Sequence, residues 1–142
     1  MIENASIYKK LDKYIIHSES LTTAGLGIAS GPFIILDADV SDNELFENIV
    51  SALKGSAVGV KHPINWTEYN KYYFSSIQEK SLKSLHNKCV LLLISVKDNI
   101  ATLSPTINLG SKNGFELIKE LVITIPTIRL KDSLSGALSL CK

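Results

Sequence analysis

Chemistry-bearing residues are sparse in this sequence. There are only two cysteines, Cys89 and Cys141, in a chain of 142 residues. They fall in an expected strand and an expected helix, cannot form a disulfide framework, and suit a reducing compartment. The three histidines, His17, His62 and His86, are scattered. None sits four residues from another, and no Cys or acid completes a ligand spacing, so neither a metal site nor a cofactor is expected. No nucleophile and base stand at usable spacing, so no catalytic residue is expected. The longest apolar run, Cys89 to Ile94, is far too short to cross a bilayer. The opening MIENASIYKKLDKY has no apolar stretch, so no signal peptide is expected and the cytoplasm is the expected location. A net charge of +1 supplies no bulk attraction to nucleic acid or membrane.

What remains is an ordinary globular composition, 45% apolar and 20% charged. The length suits one domain over residues 1–142, with a core that needs no staples. The segment Phe33 to Trp66 organises the rest. Phe33 to Leu36 is an apolar run fit for a buried strand. A polar turn follows, and Ser41 with Glu44 three residues on makes a helix start. Leu45, Ile49, Ala52 and Leu53 then share one helical face. Gly55 and Gly59 mark the helix end, and the segment closes on Pro63 and Trp66.

Around it, residues 1–11 read as mixed, helical in part or frayed. Tyr14 to His17 is an expected strand, and Ser18 to Gly31 holds turns with a short strand at Leu26 to Ala29. Helices are expected over Thr67 to Phe74 and Glu79 to His86. Cys89 to Val96 is the clearest strand, apolar enough to be buried on both faces. Lys97 to Asn99 turns it into a partner strand at Ile100 to Leu103, which Pro105 should stop. Glu116 to Glu120 is either a helical turn or a strand start. A strand at Leu121 to Ile125 and a helix at Lys131 to Cys141 finish the chain. Ile34 to Leu53 and Ile123 to Leu140 share a strand, turn and helix pattern, consistent with two βα units on one sheet or with chance. The expected fold class is α+β, a mainly antiparallel sheet of about five or six strands with packed helices.

Three short constellations invite chemistry and fall short of it. His86 and Cys89 are three apart, but a thiol opening a buried strand is usually structural. Gly27 to Gly31 lacks nucleophile-turn spacing and should be a turn between strands. Gly110 to Gly114 is not a phosphate-binding signature and should be a loop. The aromatics Trp66, Tyr69, Tyr72, Tyr73 and Phe74 allow two readings. With Lys61, Lys71 and Lys80 they would suit single-stranded nucleic acid. At helical spacing they pack a core, which is the expectation for Trp66 and Tyr69. Adjacent Tyr72 and Tyr73 cannot both face inward.

Charge is polarised along the chain. Tyr14 to Leu53 contains no Lys or Arg but holds Glu19, Asp37, Asp39, Asp42, Glu44 and Glu47. Residues 54–98 hold seven lysines against Glu68, Glu79 and Asp98. Helix-start chemistry accounts for Asp42 and Glu44. Asp37, Asp39 and Glu47 are left over, and an acidic patch without catalytic groups suits a basic partner.

The strand, acidic turn, DNEL helix ending SAL, and GVKHPINW tail resemble the CdiI immunity proteins of bacterial contact-dependent growth inhibition. The matching positions are Asp42, Glu44, Leu45, Ala52, Leu53, His62, Pro63 and Trp66. The similarity continues at Ile100 to Pro105, Gly110 to Phe115 and the last helix. It departs at Phe46, where the family's helix often carries glycine after the leucine. The resemblance implies a cytoplasmic, non-enzymatic protein that binds the C-terminal toxin domain of a CdiA effector one to one and occludes its active site. Many such toxins are nucleases, with an RNase the first expectation and a DNase the second. Neither nucleic acid nor membrane would be bound directly. The proposed contacts are Asp37, Asp39, Glu44 and Glu47, with Tyr72 and Tyr73 next.

Overall fold

The computed structural model describes residues 1–142. Eight strands and four helices follow one another as β1 (Glu3–Lys9), β2 (Lys13–Thr22), β3 (Gly27–Asp37), α1 (Asp42–Gly55), β4 (Val58–Val60), α2 (Trp66–Ile77), α3 (Leu82–His86), β5 (Val90–Lys97), β6 (Ile100–Asn108), β7 (Phe115–Leu117), β8 (Ile123–Pro126) and α4 (Leu130–Ser139). The sheet runs β3-β2-β1-β5-β6-β7, with β4 beside β2 and β8 beside β6. Every pairing is antiparallel except the short parallel β2–β4 contact. The α+β class is therefore as expected, with more strands than the five or six expected. The additional ones include β1 and the three-residue β4 and β7.

Residues 1–11 are a correction. They are neither helical nor frayed: β1 lies between β2 and β5 at the centre of the sheet. Its buried residues are Ala5, Ser6 and Ile7, of which only Ile7 is large and apolar, too few to show an apolar run. The turn-rich reading of Ser18 to Gly31 is also corrected. β2 and β3 form one long hairpin, and Ser18, Ser20 and Thr22 are buried within it. Their hydroxyls are satisfied: Ser18 Oγ donates to the Ala52 carbonyl, and Ser20 Oγ meets Ser30 Oγ at 2.7 Å. Pro105 does not stop β6 but sits where the strand's outer edge changes partner from β8 to β7. Its missing N–H is tolerated at such a changeover.

α1 begins as its sequence specifies, with Ser41 Oγ accepting from the Glu44 N–H at 3.1 Å. Leu45, Ile49, Ala52 and Leu53 are buried against the sheet. Each large apolar side chain so buried contributes about 1.5–3 kcal/mol. α4 lies on the same face, and Leu134 and Leu138 join Leu45 and Ile49 in one core with Tyr14, Ile16, Leu92 and Leu103. β3–α1 and β8–α4 are thus two βα units flanking one sheet. The other face is covered only in part. Ile15, pointing opposite to Tyr14 and Ile16 by strand alternation, packs with Ile77 of α2 and Leu85 of α3. The half of that face over β1, β5 and β6 stays open.

Gly55 is not a left-handed helix cap. It sits where α1 crosses the bulged part of β3, and a Cβ there would lie 2.5 Å from Pro32 Cδ and 2.8 Å from the Gly31 carbonyl oxygen. Backbone and ring give way poorly. Gly55→Ala is expected to destabilise the protein by about 1–3 kcal/mol, the usual cost of overpacking. Urea unfolding measures it, and an unchanged midpoint would contradict this packing.

Candidate protein-interaction surfaces

Asp37 ends β3, Asp39 follows in the turn, and Glu44 and Glu47 lie on the outer side of α1. All four are exposed. Leu45 and Ile49 anchor the opposite side of the helix in the core. Asp37, Asp39 and Glu44 border one shallow depression with Val40 and Ser41. Glu47 stands one turn further along and accepts from Asn43 Nδ2 at 3.1 Å. None of the four is in an ion pair: the pairs of this protein involve Glu79 and Glu19. Their charge is therefore free to act on a partner.

The aromatic group lies on the other side of the sheet, on α2. Tyr72 is exposed, whereas Tyr73 is packed against His17, Phe33 and Phe74. Of the adjacent pair, one does face outward, and it is Tyr72. Tyr73 is half-buried, with its hydroxyl on His17 and part of its ring lining the neighbouring cleft. Trp66 is a second correction, being 41% exposed rather than core. It forms the rim of a cleft, in edge contact with His62 and Tyr69. Tyr69 Oη donates to the Ala29 carbonyl at 2.7 Å. Tyr69, Tyr73 and Phe74 are engaged within the fold, and Trp66 and Tyr72 are the exposed rings of α2.

Beneath these rings lies a cluster absent from the sequence expectations. His17 is fully buried. Its Nδ1 is 3.0 Å from the Ser18 carbonyl, which only accepts, so Nδ1 carries the proton. Nε2 then accepts from Tyr73 Oη at 3.1 Å. Burial pushes the His17 pKa down from 6.5 to about 4, against a smaller opposing effect of the Ser18 bond. Glu19 Oε1 lies 3.7 Å from Nδ1 and accepts from Ser6 Oγ at 2.8 Å. Burial holds the Glu19 carboxyl above its ordinary pKa, with the Ser6 bond opposing. Tyr8 and Tyr73 are likewise raised, chiefly by burial. Ser6 donates to the carboxylate and not to the imidazole, so the serine is not activated by the histidine. The signal for this cluster was the period-two spacing of Ile15, His17 and Glu19 once β2 is extended.

A half-buried charge cluster joins the β1–β2 turn to the α2–α3 junction. Glu79 accepts from Lys10 Nζ and Ser84 Oγ, and Lys13 Nζ lies 3.6 Å away. Lys10 also donates to the Ser84 carbonyl at 2.6 Å.

The short constellations resolve structurally. Cys89 is buried, and burial pushes its thiol up to about 12 despite the neighbouring Lys10. His86 Nδ1 bonds the Leu82 carbonyl at 2.9 Å, and its ring stacks on Phe115, so the histidine does not serve the thiol. Gly27 to Gly31 is part of β3 rather than a turn. Gly110 to Gly114 is the loop before β7, closed by the Gly114 N–H on the Gly110 carbonyl at 2.8 Å. No three His, Cys, Asp or Glu side chains converge as a metal site would require. No helix is long and apolar enough to cross a membrane.

This architecture is shared with known proteins. A protein of unknown function from Neisseria meningitidis superposes with a TM-score of 0.79 at 16% identity, covering 100% of this chain and 96% of that one. A chain of the CdiA-CT/CdiI toxin and immunity complex from Yersinia pseudotuberculosis superposes with a TM-score of 0.76 at 18% identity, covering 100% and 98%. At such identities the likeness is one of fold. No curated protein sequence matches the chain. The family model for CdiI, the CDI immunity protein, matches residues 3–137, almost the whole sequence. The chain therefore belongs to the CDI immunity protein family.

Proposed function

We propose that this protein binds the C-terminal toxin domain of a cognate CdiA effector in a one-to-one complex and neutralises it by covering the active site. The observation that carries the surface assignment is the set of four exposed, unpaired carboxylates at Asp37, Asp39, Glu44 and Glu47. A nuclease active site is basic because it holds phosphates, and an acidic face complements it. An RNase is the first candidate partner and a DNase the second. The protein acts in the cytoplasm, by binding alone, without metal or cofactor. His17 and Glu19 are held by interior partners, and Cys89 is a buried, protonated thiol.

The test is binding kinetics of the triple variant Asp37→Lys, Asp39→Lys, Glu47→Lys. Ser41 and Asp42 stay, because they serve the start of α1. Long-range attraction sets association rates and weakens with salt. At low ionic strength the variant is expected to associate about tenfold more slowly, with a flattened salt dependence. Circular dichroism should be unchanged. Wild-type association and dissociation rates at low salt would remove this face from the interface and leave the toxin contact elsewhere.

A further inference from the structure

We propose that the cleft between α2 and the open face of the sheet seats one basic side chain of the toxin, with its cationic head on the Glu19 carboxylate and its stem against Tyr69, Tyr73 and Trp66. The site rests on the toxin-binding reading above but not on the acidic face, which lies across the sheet.

The cleft, about 300 Å³, is walled by Trp66, Tyr69, Tyr73 and Phe74 of α2 and by Leu26 and Ala29 of β3 and its preceding turn. Glu19 borders this cleft and also the adjoining groove of about 500 Å³ over β1 and β5. The carboxylate therefore stands where the two open spaces meet. Inside the protein it has one close hydrogen-bond partner. Ser6 supplies one hydrogen bond, and a carboxylate accepts about four. The nearest basic group is the His17 ring, 3.7 Å away, whose Nδ1 proton is committed to the Ser18 carbonyl. No lysine or arginine of this chain pairs with it. Of the tyrosines lining the cleft, Tyr69 donates to Ala29 and Tyr73 to His17, and the only side chain hydrogen-bonded to the carboxylate is Ser6.

A carboxylate in apolar surroundings is costly until paired. About a third of the Glu19 side chain is open to these spaces, and a cation entering there meets a carboxylate that no basic group of this chain pairs. The walls suit such a visitor, because aromatic faces attract cations and the stem of a lysine or arginine packs on apolar surface. Exposed Leu21 and Leu26, 43% and 46% accessible, and Trp66 at the rim give the surrounding contact that excludes water from such a pair.

Glu19→Gln keeps the shape and a Ser6 contact while removing the charge. With the purified cognate toxin domain, it is expected to bind at least tenfold more weakly, mainly through faster dissociation. Its thermal midpoint is expected to equal or exceed wild type, because a partly desolvated charge with no cationic partner has been removed. Alanine substitution of the toxin's lysines and arginines, one at a time, should then find one position that costs tenfold against wild type and nothing against Glu19→Gln. Unchanged rates for Glu19→Gln, or strictly additive effects at every basic position, overturn the site while leaving the immunity function standing. A wild-type protein that does not bind the toxin overturns both.

Discussion

Glu79→Ala is expected to lose on the order of 1–3 kcal/mol of stability, more than an exposed ion pair is worth and less than the cost of breaking a fully buried one. The side chain of Glu79 is only 7% exposed and that of Lys10 14%. Removing the carboxylate leaves Lys10 with the Ser84 carbonyl as its one protein partner and takes the anchor from Lys13. The loss would be a large share of the roughly 5–15 kcal/mol typical of a domain. Lys10→Met with Glu79→Leu should recover most of it, because neither charge then remains buried. The same carboxylate makes the fold acid-sensitive. Burial alone would raise its pKa, but the Lys10 hydrogen bond and the Lys10, Lys13 and Ser84 interactions outweigh this and lower it. A carboxyl depressed on folding contributes stability above its unfolded value, about 4.5, and that contribution is lost as pH falls from there through the folded value. Urea unfolding of the single and double variants decides it. A single variant as stable as wild type would show that the pair is not buried.

His17 should act in a separate, higher window. In the unfolded chain it titrates near 6.5, and in the fold near 4. The folded state holds the neutral ring, so stability is intact above pH 6.5. Below that the unfolded chain takes up the proton first, and stability falls until the folded pKa is reached. At 1.36 kcal/mol per unit, the loss between pH 7 and pH 5 is about 2 kcal/mol. Glu19 works in the opposite sense, since its raised pKa lets the folded state gain a proton first and partly offsets the loss. His17→Gln should be less stable than wild type at pH 7 but should lack this part of the decline. Parallel pH profiles for the two proteins would mean that the ring is charged or exposed in the fold.

These buried groups explain what was and was not legible in the sequence. α1 could be placed because its signals are local: a Ser41–Glu44 start and an apolar stripe at Leu45, Ile49 and Leu53. β5 announced itself through Leu91, Leu92 and Ile94, the exposure of Glu44 and Glu47 followed from the α1 stripe, and that of Asp37 and Asp39 from the polar turn before it. β1 could not be seen, because Ala5 and Ser6 are small and its standing as the central strand comes from β2 and β5 on either side. The polar half of β2 was hidden for the same reason. Ser18 and Ser20 are acceptable inside only because Ala52, Ser30 and Ala57 arrive from elsewhere in the chain. Trp66 misled in the other direction: helical spacing put it in the core, but α2 packs on the sheet mainly through Tyr73 to Ile77 and leaves its first turn at a cleft rim. The Glu19 environment draws on β1, β2, β3 and α2 at once, and no local pattern records such a convergence.

The most direct test is the composition of the complex recovered from protected cells. The cognate CdiA C-terminal domain is expressed with and without this protein, and survivors are lysed and fractionated by size with mass measured in line. A binding mechanism predicts survival only when both are made, and a single species whose mass is the sum of one copy of each. Protection with the toxin domain recovered free, at concentrations where the immunity protein is in excess, would contradict it and require that the toxin be neutralised by some means other than being covered.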